Sequence, residues 1–493
     1  MASKKALYGR STQPLASRLI ERYQERATDS PYERSFYTRD LAPIPGIVDR
    51  VFATTPDVVV RPDSAEMVAD VVKQAGIDRV PVTTRAGAST ALWGCVPVQG
   101  GVLLDLSDLR GVVAIDPTEK TARVRAGTVW TDFEHELLGH HLVAKSVPSS
   151  APASSVGGWL CTGGYGIGTL KYGRFLSQVR SAEVVLPDGS IRRLTRETQP
   201  PLQWFEGSEG TLGVVTEVEL EVRDASPMSH FLLSCPGISA VRQIVTKLVA
   251  GSPLPYSIHF DDRWTAAAME ALGYAPAGAV AGSELVRVDW EGTPEELEAA
   301  ESVTRAAVAA VPGVSQLSHE AAKEEWAERF RSLRIKRGGP SVLGQEVLLP
   351  LSGLEGYLAD VERLAMRYRM TLMSYGHMAV PDKAIVMTMF YTDETKTVEY
   401  LFSMGIMKKF HDVAARRNGA PYGLAFWSTP HIRSRLADPP LAEWRRRKQQ
   451  LDPLGIMNPG KGPTRLAAMN PMVIQLGMDA LAGIARVTRG GLS

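Results

Sequence analysis

Three glycine-rich stretches in this 493-residue chain have the composition to cradle a phosphate-bearing ligand. The densest is SSVGGWLCTGGYGIGTLKYG, from Ser154 to Gly173, with seven glycines and no helical or strand periodicity. Glycines at that density permit positive φ and close backbone approach. Successive N–H groups in such a loop form concavities that bind anions. A flexible linker is the alternative reading. Trp159, Tyr165 and Tyr172 within the segment, and the strand-like run from Val179 to Leu186 straight after it, favour an ordered cofactor loop. An earlier loop, Arg85-Ala86-Gly87-Ala88-Ser89-Thr90, ends the strand-like run from Val80 to Thr84, which is a phosphate-cradle arrangement. It is neither a Walker A loop nor a GxGxxG fingerprint. The third stretch, GSEGTLG from Gly207 to Gly213, runs into a strand expected from Val214 to Val222.

Taken in order, these segments resemble the flavoproteins with a vanillyl-alcohol-oxidase (PCMH)-type FAD domain. That family carries a xRxGxS/T loop, an S-x-G-G…G…YG segment, GSEGTLG-(I/V)-(I/V)-T and a DP-x-G-(I/L)-(M/L)-NPGK tail. All four occur here, the last as Asp452 to Lys461, and the resemblance spans roughly residues 50 to 463. It implies bound FAD. By resemblance, Arg85, Ala86, Gly87, Ala88, Ser89, Thr90, Pro148, Ser155, Gly157, Gly158, Thr162, Gly163, Gly168 and Tyr172 hold the cofactor. So do Glu209, Gly210, Gly213, Val215, Asn458 and Lys461. Relatives that attach FAD covalently through the first loop carry His where this chain has Ala88, so non-covalent FAD is expected.

The elements that must position these residues follow from periodicity. Residues 1–50 are polar, with one helix expected from Leu15 to Arg26, and read as a surface arm without chemistry. Residues 51–225 read as the FAD domain. There a β-α-β unit (strand Asp57 to Arg61, a helix through Met67, Val68, Val71 and Val72, then strand Val80 to Thr84) precedes further strands. Residues 226–445 alternate strands with helices, and Thr293-Pro-Glu-Glu296 is a capping-box helix start. Helices on one face of an antiparallel sheet fit that pattern. By resemblance this is a substrate cap over the flavin, built from ferredoxin-like repeats. Residues 446–493 return to the FAD domain and end in an apolar, helix-spaced tail that reads as a helix packed on this chain or a partner, with a membrane anchor as the alternative. The expected fold is α+β: a two-subdomain FAD-binding domain plus an α+β cap.

Within the cap the resemblance is to the glycolate oxidase and D-lactate dehydrogenase branch. Phe330 to Arg334 followed by Gln345 to Pro350 is similar to its LRE…DVSLP pattern, in which an arginine grips the substrate carboxylate, and Arg334 stands at the matching position. A guanidinium offers a planar fork to two oxygens. Arg329, Arg331, Lys336 and Arg337 lie close by and leave the choice open. The branch's GHxGDGNxH metal motif survives only as Gly376-His377, and its Glu-His-Gly is replaced by Pro421-Tyr422-Gly423. A lone histidine does not hold a catalytic metal, so no metal is expected. His377 and Tyr422 remain as candidate proton acceptors, with packing roles as the alternative. His259, His319, His411 and His431 lack motif support and read as structural.

Composition narrows the function classes. A net charge of +1 without a long basic run implies neither nucleic acid nor an anionic membrane. Three widely spaced cysteines argue against an iron–sulfur or zinc site within the chain and suit a reducing, cytoplasmic setting. The N-terminal residues show no apolar signal region. The expected function is an FAD-dependent oxidoreductase passing hydride from a hydroxylated small molecule, first a D-2-hydroxy acid, to FAD. The electrons then go to an external acceptor: a quinone, an electron-transfer flavoprotein, an iron–sulfur subunit or oxygen. Phe426, Trp427, Tyr375 and Met378 and the degraded metal motif favour an alternative, an aromatic or lipid-like alcohol. The Gly158-Trp159 pair also occurs in the ether-lipid synthase branch. A non-catalytic flavoprotein subunit is a third reading, and a homo-oligomer is left open.

Overall fold

Valine and leucine runs too short for helices build the first sheet. The computed structural model describes residues 13–42, 52–423, 428, 441–462 and 471–490. Strands β1 (Ala27–Thr28), β2 (Val58–Val60), β3 (Val82–Arg85) and β4 (Val102–Asp105) lie in the order β1-β2-β4-β3. Strands β2, β4 and β3 are parallel, as a β-α-β crossover requires. The crossover helix, Ala65–Asp78, starts where the Ser64 hydroxyl accepts from the Met67 N–H, and it stops at left-handed Arg79. Its Met67, Val68, Val71, Val72 and Ala75 are buried at helical spacing. The first helix, Gln13–Tyr23, is no surface attachment. Leu15 and Leu19 repeat every four residues and insert fully into this core, so the arm is part of the lobe.

Strands β5 (Val112–Asp116), β6 (Thr121–Arg125), β7 (Leu142–Ala144), β8 (Val179–Val185), β9 (Ile191–Leu194) and β10 (Val214–Asp224) form an antiparallel sheet ordered β5-β6-β10-β8-β9, with β7 on β10. Against it pack Trp130, Phe133, Trp159 and Phe175, edge-on or stacked at 4.7–5.7 Å between centroids. The glycine-rich segment differs from its sequence reading, because it contains a short helix, Val156–Thr162. Ser155 caps it by accepting from the Gly158 N–H, and left-handed Gly163 ends it. Close packing rather than apolar periodicity makes this turn: a Cβ on Gly157 would lie 2.5 Å from Ala126 Cβ.

The second lobe rests on eight antiparallel strands. They are β11 (Met228–Cys235), β12 (Ser257–Asp261), β13 (Glu284–Glu291), β14 (Ser315–Gln316), β15 (Ser341–Pro350), β16 (Met373–Val380), β17 (Lys383–Thr392) and β18 (Ala420–Pro421). Their order is β14-β11-β13-β12-β16-β17-β15-β18. One face packs on helices Ile238–Val249, Pro294–Ala309, Leu351–Tyr368 and Thr397–Arg416 through Ile258, Val286, Val347, Val386 and Phe390. Burying each such side chain contributes about 1.5–3 kcal/mol. The capping box forms, with Glu296 N–H donating to Thr293 Oγ1 at 3.3 Å and Thr293 N–H to Glu296 Oε2 at 2.8 Å. Strand alternation turns the other residues (Glu346, Tyr375, His377, Ile385 and Met387) to the opposite face.

Helix Leu441–Leu451 and residues 452–462 return to the first lobe. There buried Lys448 donates to Asp452 (2.5 Å), Thr211 O (2.6 Å) and Met457 O (2.7 Å). The last helix, Pro471–Gly490, lies on the cap helix Thr397–Arg416. Met478 and Ala482 are buried there, and Asp479 meets Lys408 (3.1 Å) and Lys409 (2.6 Å). Among the described residues no helix is long and apolar enough to cross a membrane.

Candidate active site and cofactor cleft

One cleft runs between the lobes, and the three glycine-rich turns form its first-lobe walls. The first follows β3. Gly87 passes so close to the second turn that a Cβ would lie 2.0 Å from Ala153 O. Ser89 Oγ sits 2.8 Å from Ser154 Oγ, itself 2.6 Å from Ser150 Oγ, so a serine chain ties the two turns together. Arg85 borders the cleft while donating to Arg39 O at 2.7 Å and lying over the Tyr37 ring. The third turn needs left-handed backbone at Gly210, φ +71°, where a Cβ would lie 2.3 Å from Thr84 Oγ1.

Arg85, Ala86, Gly87, Ala88, Ser89, Thr90, Pro148, Ser155, Gly157, Gly158, Thr162, Glu209, Gly210, Gly213 and Val215 all line this cleft. Gly163, Gly168, Tyr172, Asn458 and Lys461 lie outside its lining. Gly163 and Gly168 shape the backbone behind it, both at positive φ. Tyr172 points across the lobe boundary to Glu291, which also pairs with Arg223 and Lys171. Asn458 Nδ2 donates to Gly94 O (2.8 Å) and Glu209 O (2.6 Å), and buried Lys461 donates to Val96 O (2.7 Å). These two residues brace the cleft's loops from behind. Burial pulls the Lys461 ammonium down to about 8.

The cap wall is made by Ser332, Leu333, Glu346, Tyr375, His377, Ile385, Met387, Tyr422 and Gly423. Sheet register sets the row: Glu346 and Tyr375 both stand opposite Met387, and His377 stands opposite Ile385 and His259. Tyr422 N–H donates to Glu346 O at 2.9 Å, and Tyr422 Oη accepts from Tyr165 N–H at 3.1 Å, closing the wall onto the first lobe. Burial, with His259 and Arg287 adding positive charge, pulls the His377 imidazole down to about 3, so its ring is neutral in ordinary buffers. Burial pushes the Glu346 carboxyl up to about 7. Burial also pushes Tyr375 up, with the Glu346 and Asp261 charges adding to it.

Arg334 lies outside the cleft lining. Its side chain is 43% exposed, pairs with Glu328 at 2.7 Å and lies over Tyr274. Arg331 pairs with Glu325, exposed Lys336 donates to Leu41 O at 3.2 Å, and exposed Arg337 donates to Tyr274 Oη at 2.6 Å. Half-buried Arg329 differs from these. It lies 4.4 Å over Trp326 and over Phe330, its buried Nε has no hydrogen-bond partner, and among the described residues it makes no ion pair within 4 Å. It lines a small annex, with His259, Arg287 and Glu325, that shares Ser332 with the main cleft. Phe426, Trp427 and His431 lie outside the described residues. Met378 is buried on the helix-covered face.

Sequence reading missed Glu346, Tyr165, Ser154, Leu41, Cys95 and Cys161 as lining residues. Glu346 had a signal, a charge followed by apolar residues in the motif-like stretch Gln345 to Pro350. Leu41, carried in by the arm, had none.

Comparison with known proteins fits this architecture. Residues 56–195 match the FAD binding domain model, and residues 228–462 match the FAD linked oxidases C-terminal domain. The chain therefore carries an FAD binding domain followed by an FAD linked oxidases C-terminal domain. The chain is 25% identical over 451 residues to glycolate oxidase subunit GlcD of Bacillus subtilis, covering 89% of this chain and 94% of that one. It is 26% identical over 441 residues to a D-lactate dehydrogenase of Anaerostipes hadrus, covering 82% and 89%. A p-cresol methylhydroxylase structure shares its fold, with a TM-score of 0.78 at 16% identity over 92% of this chain and 97% of the other.

FAD is therefore the cofactor, and the cleft suits it. A Cβ at Gly87 or Gly210 would collide with backbone or hydroxyl, and the turns offer serine hydroxyls and peptide groups along the cleft. Position 88 is alanine, and burial pushes both lining thiols, Cys95 and Cys161, up to about 12, so neither is a thiolate. Bound FAD supplies hydride acceptance. The oxidoreductase contributes binding, orientation and proton handling.

Proposed function

We propose that this FAD-dependent oxidoreductase takes hydride from the hydroxyl-bearing carbon of a small D-2-hydroxy acid. The carrying observation is that a single cleft joins the FAD turns to a cap wall bearing Glu346, Tyr375, His377 and Tyr422. The names of its relatives (glycolate oxidase, D-lactate dehydrogenase, D-2-hydroxyglutarate dehydrogenase) support the hydroxy-acid class. Arg329, the half-buried cation of its cluster without a carboxylate within 4 Å, receives the substrate carboxylate in the annex beside Ser332, in place of outward-facing Arg334. Neutral His377 and Tyr422 orient the hydroxyl. FAD is bound non-covalently, and the electrons leave to an external acceptor, a quinone, an electron-transfer flavoprotein or an iron–sulfur subunit. A cytoplasmic location suits that assignment.

A second reading has its own observation. Among the described residues the cap's share of the cleft wall holds no lysine or arginine, while Leu333, Tyr375, Ile385 and Met387 make it apolar. That surface suits an alcohol without a carboxylate. Anaerobic addition of D-lactate, D-2-hydroxyglutarate, glycolate, their L-isomers where chiral, and 4-hydroxybenzyl alcohol to the FAD-loaded protein separates the two. Bleaching by a D-2-hydroxy acid that is lost in Arg329→Ala supports the first. Bleaching by the benzylic alcohol alone rejects it in favour of the second.

A further inference from the structure

We propose that Glu346 is the catalytic residue that accepts the proton of the substrate hydroxyl. This inference rests on the proposal that the site oxidises an alcohol carbon. Glu346 borders the cleft in register with Tyr375 across Met387, and its backbone carbonyl holds Tyr422 beside it. Among the described residues its carboxylate has neither an ion pair nor a side-chain hydrogen bond. Three carboxylates buried elsewhere in this chain are paired with cations: Asp289 with Arg287 and His230, Glu291 with Arg223 and Lys171, Asp452 with Lys448. An unanswered carboxylate on an apolar wall is costly unless it holds a proton or gains one.

The other groups on the wall are poorer acceptors. His377 has lost its basicity to burial and to the positive neighbours His259 and Arg287. Tyr375 holds its proton more tightly than an ordinary phenol. Tyr422 Oη is already an acceptor for Tyr165 N–H. From the first lobe, Arg85 and Glu209 face the same cleft without pairing to Glu346, and the thiols Cys95 and Cys161 stay neutral. Burial alone raises Glu346, to about 7, which matches a base that exchanges protons near neutrality.

In the step, the substrate O–H bond breaks and its proton passes to a Glu346 carboxylate oxygen. The C–H electron pair leaves as hydride with FAD as the oxidant, and the C=O bond forms. Glu346 then returns its proton to solvent.

The test uses FAD-loaded wild type, Glu346→Gln and Glu346→Asp, with the compounds named above. The wild-type rate of flavin bleaching rises with pH to a plateau, with its midpoint near 7. Glu346→Gln loses about a hundredfold or more and the midpoint, and Glu346→Asp regains part of both. Flavin content and melting temperature stay at wild-type values. A Gln variant that bleaches at the wild-type rate overturns the proposal. An infrared pH titration of the loaded protein needs no substrate. Asp262 and Glu284 contribute to the protonated-carboxyl absorption that disappears near pH 7 in wild type, so a band smaller by one carboxyl in Glu346→Gln supports the assignment, and a band of identical area in both overturns it. If no compound bleaches the flavin, the alcohol-oxidation reading fails, while the infrared result still decides whether Glu346 exchanges a proton near neutrality.

Discussion

A single methyl group decides whether the first turn can seat the cofactor. Gly87→Ala places its Cβ 2.0 Å from the Ala153 carbonyl, so the turn must shift. Protein purified with that substitution is expected to lose most of its flavin, with affinity down tenfold or more, checked by the flavin-to-protein absorbance ratio. His377 and Glu346 stand on one sheet face but answer pH differently. His377→Asn is expected to leave the midpoint of the bleaching profile in place, because a ring held down to about 3 does not titrate near neutrality. A midpoint that moves in His377→Asn would return the proton-accepting role to the histidine. At this scale the sequence was legible where a motif names atoms near the backbone. The turns at Arg85 to Thr90 and Glu209 to Gly213 meet at the cleft. It was not legible where side-chain direction matters, because a run of five cations between Arg329 and Arg337 carries no sign of which one turns inward without a carboxylate.

Element ends hold the site's supports. Asp262 caps helix Arg263–Ala271 by accepting from Thr265 N–H at 2.7 Å, and it accepts from Ser374 N–H at 2.9 Å on β16. Burial pushes its carboxyl from 3.8 up to about 7, and nearby Glu284 also goes up to about 7. A folded-state pKa above the unfolded one means that the native state binds the extra proton. The stability it contributes is therefore complete below about 3.8 and is lost as pH rises through about 7. Asp262→Asn keeps an N-cap acceptor and removes the titration. That variant should show a flatter dependence of denaturation midpoint on pH over the window, since each tenfold difference in proton affinity between the folded and unfolded states is worth about 1.4 kcal/mol. An unchanged slope would place the titration elsewhere. Asn458→Ala removes donors to Gly94 O and Glu209 O. It should cost about 1–3 kcal/mol of stability and speed flavin release, both visible in a thermal melt followed by flavin fluorescence. Strand and helix existence was readable from periodicity, including the helix through Met67, Val68, Val71 and Val72 and the strand that starts at Val214. The short helix Val156–Thr162 was not, because its cause is contact with Ala126 rather than any apolar repeat.

Across the whole molecule, the two lobes are fastened by charge as well as by the shared cleft. Glu291 of β13, its side chain 1% exposed, receives Arg223 and Lys171 from the FAD lobe and the Tyr172 hydroxyl. Glu291→Gln leaves two half-buried cations without their carboxylate and is expected to destabilise the protein by about 1.5–3 kcal/mol. Differential scanning calorimetry should then resolve separate lobe transitions where the wild type shows one. A single unshifted peak would mean that the cluster does not couple them. The order of FAD domain, cap and return segment was legible because motifs flank the cap in the chain. The arm's place in the first core was not, since Leu15 and Leu19 sit in a polar stretch and reveal themselves only by burial.

The docking of helix Pro471–Gly490 onto the cap has a consequence for biosynthesis. Gly405 lies so close beneath that helix that a Cβ would meet Ala482 N at 2.6 Å. The partner surface for a helix in the middle of the cap is thus encoded well downstream of the cap itself. While a ribosome has yet to translate that stretch, the 397–416 helix stands with its flank bare, and its Lys408 and Lys409 lack Asp479. Maturation of the cap waits on a segment made after it. The nascent chain is therefore most exposed to aggregation and to chaperone capture in the interval before residues 471–490 emerge.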